Sequence, residues 1–310
     1  MEYGVHLPLI AFDSRPYSLD FLLRYTETAA RLGFQTLAVN DHLVFSRPWL
    51  DGLTALAAVL TQTGRMKLAT TVALPVVRGP VALVKALTAI DLLAGGRLVV
   101  GVGAGSSARD YAAVSVPFDE RWKRLEETVL AMRTLWTQRE FTGQFYSTDG
   151  LALAPLPAQN GGPPIWIGSW GSEMGLRRIA RLGDGWLASG YNTTPALFGD
   201  AWNHLQQYLL EVGKNPTEFP NAIATMFFYI TNDKRIAKRV IQEVLAPALN
   251  RPEDVLRQRL PIGSAEECAE KLAAYQQAQR IFLWPVTDEL YQLEAFQERV
   301  APLAGGLSSS

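Results

Sequence analysis

Residues 67–105 read "KLATTVALPVVRGPVALVKALTAIDLLAGGRLVVGVGAG". At one end "KLATTVAL" (67–74), and at the other "RLVVGVG" (97–103), are mostly apolar runs rich in β-branched residues. Runs that do not alternate with polar residues suit strands covered on both faces, as in a parallel sheet. Between them Pro80 stands in the first turn of a helical stretch, 80–93, where its missing N–H is tolerated. The segment is therefore a strand, a helix and a second strand, the unit from which parallel α/β folds are built.

Working outward, the same alternation fills the chain. Further strands are predicted at 3–7, 36–39, 165–168, 185–189, 222–230 and 280–286. Helices are predicted at 18–32, 53–63, 119–138, 172–182, 194–212, 233–246 and 264–278, with a last one near 287–300. The clearest is 119–138, where Trp122, Leu125, Val129, Met132 and Trp136 fall on one helical stripe. Eight strands with helices between them point to an α/β fold, a (β/α)8 TIM barrel. A doubly wound open sheet is the competing arrangement, and counting alone does not separate the two. Residues 1–303 read as one domain with inserted loops near 139–163, including a short hairpin in "FTGQFYSTDGLAL", and near 247–263. Long insertions on a barrel serve as lids at the C-terminal mouth. Residues 304–310 read as a flexible tail.

The composition narrows the function. Of the 310 residues 48% are hydrophobic and 19% charged, with a formal net charge of −1, so no basic face advertises nucleic acid or an anionic membrane. No apolar run is long enough to span a bilayer, and no signal peptide is legible in "MEYGVHLPLI". Cys268 is the single cysteine, which leaves no internal disulfide and fits a reducing compartment. The expectation is a cytoplasmic protein acting on a small-molecule substrate.

In a barrel the C-terminal strand tips face the active site. The strand in "TLAVNDHLVF" (36–45) breaks its apolar pattern there with Asn40, Asp41 and His42. A carboxylate beside an imidazole suits hydrogen bonding and proton transfer near neutral pH, and equally suits an Asx turn leading to a helix N-cap. After the 97–103 strand come Gly103, Ala104, Gly105, Ser106 and Ser107, a loop able to approach a phosphate closely. It is not the G-x-G-x-x-G fingerprint, and glycines at a strand end also simply make room for packing. After 165–168 come Ser169, Trp170, Gly171 and Ser172, feeding a helix that begins near Glu173. That is a phosphate seat or a plain N-cap, and the two roles are compatible. Arg78 is a candidate partner for an anionic group, and Trp49 a candidate wall for a substrate. Arg97 and Asp184 read as turn stabilisers, and Cys268 as an inert buried thiol. A metal site would need His6 alongside Asp41 and His42, and none is expected.

Taken together, "GVHLP", "DHLVF", the 70–105 segment, "PPIWIGSWG", "RRIARLGDGW" and "GSAEECAEKLAAY" resemble, in order, the luciferase-like monooxygenase superfamily. The resemblance implies a (β/α)8 barrel with a flavin or deazaflavin ring at its mouth. It places Asp41 and His42 beside that ring, with His42 as the catalytic proton carrier. Thr71-Val72 match a non-proline cis peptide that backs the ring. Gly103 to Ser107 and Ser169 to Ser172 match the segments that hold the ribityl chain and phosphate. The implied cofactor is coenzyme F420, with FMN the alternative, and the implied assembly is a homodimer, with a separate reductase for a flavin-using member. Sugar-phosphate-oxidising members place a glutamate just after the glycine loop. Here that position is Ser106, which weakens a phosphosugar reading. A non-catalytic flavin-binding member and a metal-dependent barrel hydrolase are the other readings.

Overall fold

Strand β1 (Glu2–His6) lies between two parallel neighbours, β2 (Thr36–Val39) and β9 (Arg280–Pro285), in this computed structural model. All residues are described except Ser14, Leu151 and Ser308–Ser310, together with the side chains of Gly306 and Leu307. From β2 the sheet continues through β3 (Lys67–Ala73), β4 (Leu98–Val102), β5 (Ile165–Gly168), β6 (Gly185–Ser189) and β7 (Asn221–Ile230). Strand β7 pairs in parallel with β9, which closes the circle on β1. Closure decides against the open sheet. The fold is a (β/α)8 barrel, with a two-residue β8 (Ile262–Gly263) added to the outer end of β7.

The barrel interior holds mostly small side chains, Ala38, Ala69, Ala222 and Ala224, together with Trp166, Leu187 and Phe282. The larger core lies between strands and helices, where Val5, Leu37, Leu68, Val100, Ile167 and Ile223 are fully buried against the outer ring. That ring is α1 (Leu19–Arg31), α2 (Gly52–Ala58), α3 (Pro75–Arg78), α4 (Pro80–Leu93), α5 (Ala108–Ala113), α6 (Arg121–Leu135) and α7 (Glu173–Leu182). It continues with α8 (Pro195–Glu211), α9 (Lys234–Arg239), α10 (Ala246–Leu249), α11 (Glu253–Arg259), α12 (Ala265–Ala273), α13 (Glu289–Ala295) and α14 (Ala301–Leu307). Several helices start where a short polar side chain accepts a free first-turn N–H, as Ser18, Asp51, Ser172 and Thr194 do. Ser264 and Glu267 form a full capping box on α12.

Several boundaries differ from expectation. The helix predicted over 233–246 widens into π turns at Val240–Leu245 and runs on to Leu249, and the last helix widens at Phe296–Val300. Each widened stretch ends two residues before an in-helix proline, Pro247 or Pro302. Such a proline lacks an N–H and crowds the carbonyl four residues back, and a wider turn relieves both problems. The segment 247–263, expected as a loop, contains α11 and β8. The hairpin in 139–163 is reduced to one antiparallel bridge, Thr142 to Ser147. Helix α14 carries the chain past 303 to Leu307 with Ala304 buried, so helical structure extends into the expected tail, whose last residues, 308–310, lie outside the described residues. In the predicted stripe of α6, Leu125, Val129, Met132 and Trp136 are buried, but Trp122 is 39% exposed. It turns instead toward the barrel mouth.

Candidate active site

A cavity of about 560 Å³ opens among the C-terminal strand tips, a size that suits a cofactor or small ligand. Asn40, Asp41 and His42 reach it from β2, Thr71 and Val72 from β3, Gly103 to Ser106 from β4, and Ser169, Trp170 and Ser172 from β5. Of the residues expected there, Ser107 and Gly171 are not in its wall. Ser107 caps α5 by accepting the Asp110 N–H at 3.4 Å. Gly171 supplies the left-handed turn, φ +93°, that joins Trp170 to Ser172.

Asp41 lines the wall but is committed elsewhere. One carboxylate oxygen accepts Arg78 Nε at 2.7 Å and the Leu74 N–H at 3.0 Å, and the other accepts Arg78 Nη2 at 2.7 Å. Arg78 also pairs with Asp51. This corrects the reading of Arg78 as a free partner for a ligand anion, and it gives Asp41 the task of tying β2's tip to the turn after β3.

His42 is placed differently. Its Nδ1 lies 2.8 Å from Oδ2 of Asp110, a residue the sequence reading passed over. Asp110 is fully buried, and its Oδ1 accepts the N–H groups of Leu43 at 2.9 Å and Val44 at 2.7 Å. Burial pushes this carboxyl up, but the His42 and backbone hydrogen bonds outweigh it and hold it below the usual carboxylate range. An ionised carboxylate only accepts, so the network assigns the His42 proton to Nδ1 and leaves Nε2 as the free nitrogen. The imidazole packs edge-on against Trp49, with ring centroids 4.8 Å apart. Trp49 thus braces His42, and its own indole N–H is buried with no partner among the described residues.

The Thr71–Val72 peptide is cis, as the resemblance implied, and the β3–β4 register shifts between Thr70 and Ala73. Val72 lies against Gly103 and Gly168, where an added Cβ would sit 2.8 Å and 3.0 Å from its methyl groups. On the opposite side the wall includes Leu187 and Ser189 in β6, Tyr191 just after it, and Ala224 and Thr225 in β7. Phe118, Arg121 and Trp122 add a rim from the start of α6. Arg121 stacks 4.1 Å from the Phe118 ring and makes no ion pair among the described residues. The one legible signal for this rim was "FDERW", charge and aromatic residues together at a helix start.

His6 lies below this floor, stacked 4.3 Å from Trp284, with Nε2 3.3 Å from the Thr225 N–H. Burial drives its pKa down to about 3, so the ring is neutral. Among the described residues no group of three or more His, Cys, Asp or Glu is placed to hold a metal ion.

The residues present fit a flat, largely apolar ring with a polar tail. Val72, Leu74, Leu187, Ala188 and Ala224 offer the apolar surface, while the Gly103–Ser106 backbone and the Ser169 and Ser172 hydroxyls stand along one edge.

Fold and site together define a TIM-barrel protein with a ligand cavity at its strand tips, of the kind that carries an enzyme's active site. The chain belongs to the luciferase-like monooxygenase family, whose model matches residues 1–280. It spans about half the length of the first curated relatives it matches. It is 28% identical over 263 residues to the F420-dependent hydroxymycolic acid dehydrogenase of Mycobacterium tuberculosis, covering 81% of this chain and 70% of that one. It is 25% identical over 315 residues to the F420-dependent glucose-6-phosphate dehydrogenase of Segniliparus rotundus, covering 91% and 92%. Among solved structures, the monooxygenase RslO1 from Streptomyces bottropensis superposes with a TM-score of 0.83 at 22% identity, covering 97% of this chain and 99% of that one. That last likeness establishes the fold. No helix among the described residues is long and apolar enough to cross a membrane.

Proposed function

We propose that this chain is an oxidoreductase that holds coenzyme F420, in preference to reduced FMN, in the barrel mouth and acts on a small organic substrate. The observation that carries the reading is His42, fixed at Nδ1 by a buried carboxylate and open at Nε2, on the wall of a cavity backed by Val72. The names of the two dehydrogenase relatives support F420 over FMN. When bound, such a cofactor supplies hydride transfer or, for a reduced flavin, oxygen activation.

The chain's own residues do the rest. Val72 and the β4 and β5 tips set the face on which a ring rests. Trp49 and Asp110 hold the His42 imidazole still, and Nε2 takes up or returns the proton that accompanies oxidation or reduction of the substrate. Ser106, where phosphosugar-oxidising members carry a glutamate, argues for a substrate other than a sugar phosphate. The walls at 104–118 and 190–198, with the segment 247–263, shape the substrate side. A cytoplasmic homodimer, served by a separate reductase if FMN is used, completes the proposal.

Absorbance and fluorescence titrations with F420, FMN and FAD test it. F420 saturates the protein at micromolar concentration, and His42→Ala keeps that binding while losing turnover. Failure to bind any of the three refutes the reading.

A further inference from the structure

Beside the mouth lies a second cavity, of about 830 Å³, between α9, α11 and α12. Its wall contains Lys234, Lys238, Arg257, Arg259 and Lys271. Arg257 reaches a carboxylate only at 4.0 Å, on Glu253, and the other four form no ion pair among the described residues, although Lys271 Nζ is spent on the carbonyls of Arg257 and Leu260, the latter at 2.8 Å. Glu267 and Glu270 also line the space, but the Glu267 carboxylate accepts the Ser264 N–H at 2.8 Å in the α12 capping box. A cavity with this excess of unpaired cations is built for an anion.

It is joined to the active site through one residue. Tyr191 lines the mouth, and its carbonyl accepts Arg259 Nη1 at 3.1 Å. Arg259 Nε is buried with no hydrogen-bond partner among the described residues. On the other side of Tyr191, Arg251 stands 5.9 Å from its ring and 5.9 Å from Trp170, the exposed tryptophan on the β5 tip. Asn192 Oδ1 steadies this guanidinium at 3.0 and 3.2 Å, and no carboxylate among the described residues neutralises it. Cations therefore lead from the Ser169–Ser172 edge of the mouth, past Trp170 and Tyr191, into the second cavity.

We infer that Arg251, Arg259, Lys234 and Lys238 bind the oligo-γ-glutamate tail of coenzyme F420. The inference rests on the cofactor reading above and extends it. FMN ends at its phosphate, whereas F420 continues beyond its phosphodiester into a chain of carboxylates, one per glutamate. A trail of unpaired cations gives affinity to the second molecule only, and that affinity weakens with salt.

The test is fluorescence titration of the full chain with long-tailed F420, with F420 lacking the glutamates, and with FMN. Long-tailed F420 is expected to bind about tenfold tighter than the tailless form in low salt, roughly 1.4 kcal/mol. The double variant Arg259→Gln, Lys238→Gln loses that advantage and keeps its affinity for tailless F420, which also reports that it is folded. Calorimetry with a γ-linked glutamate oligomer alone gives heat with the wild type and none with the variant. Equal affinity for the two forms of F420 in the wild type overturns the inference and leaves the cofactor reading standing. Binding of FMN but of neither form of F420 overturns both.

Discussion

Replacing Asp110 by asparagine is the sharpest test of the site, because the structure dictates how the new amide must sit. Oδ1 of Asp110 accepts two backbone N–H groups, from Leu43 and Val44, while Oδ2 faces His42 Nδ1. The substituted side chain keeps its one carbonyl oxygen on the two backbone amides, since turning it round would set an NH2 group against both donors. That NH2 then points at Nδ1, which must become an acceptor, and the imidazole proton moves to Nε2. A charge-assisted hydrogen bond of about 1.5–3 kcal/mol gives way to a neutral one of about 1 kcal/mol, so the fold loses only about 1–2 kcal/mol. Catalysis loses more. Positioned acid–base groups contribute about 10²–10⁴-fold, and a ring protonated on the wrong nitrogen forfeits most of that. Nitrogen-15 NMR of the histidine side chains reads the proton position directly, and cofactor titration confirms that the site still loads. A spectrum in which His42 keeps its proton on Nδ1, or turnover within about threefold of wild type, would refute the reasoning.

Arg78→Ala leaves the Asp41 carboxylate, 5% exposed, with the Leu74 amide as its remaining partner, and should cost about 3 kcal/mol in urea unfolding. His6 is neutral in the fold with a pKa near 3 but titrates near 6.5 once unfolded, so its contribution is intact above about pH 6.5 and is lost as pH falls below it. Wild type should therefore lose about 2 kcal/mol between about pH 7 and about pH 5, with His6→Gln less stable at pH 7 but flatter across that window. Asp110 has the opposite linkage, its pKa lying lower in the fold than in the unfolded chain. Its stabilisation is present above about pH 4 and lost as pH falls through the folded value, so Asp110→Asn should flatten the acid end of the same series. Two glycines separate folding from binding. A Cβ at Gly101 would lie 2.1 Å from the Thr70 carbonyl oxygen, so Gly101→Ala should be poorly folded. At Gly103 it meets a Val72 methyl at 2.8 Å, so Gly103→Ala should fold with a cost of about 1–3 kcal/mol and bind F420 more weakly by titration.

The barrel was legible because its signals are local. Continuous apolar strands, Pro80 in the first turn of α4 and short polar caps such as Ser18 and Ser172 each act within a few residues of chain. The π turns before Pro247 and Pro302 were not legible. A proline announces that a helix must adjust, but whether it ends or widens depends on the packing around it. Residues 247–263 failed for a related reason: α11 has only seven residues and β8 two, too short for either periodicity to emerge.

The site shows the same division. His42 and the two glycine–serine loops stand at strand tips, and order along the chain was enough to place them near one cavity, whereas Val72 was singled out only by the family resemblance. Asp110 could not be found that way, because what makes it a partner of His42 is a contact across 68 residues. Arg78 shows the converse error. Its sequence neighbours gave no sign that Asp41 and Asp51 would both turn toward it, so a neutralised structural cation read as a free one. The charge of Arg78 is balanced by carboxylates from other segments of the chain, Asp41 and Asp51. Arg251 and Arg259 therefore matter in a way that Arg78 does not. They stand in the insertion between β7 and β8, Arg251 just before α11 and Arg259 at its end, where a carboxylate from a neighbouring segment could have met them, and none does among the described residues.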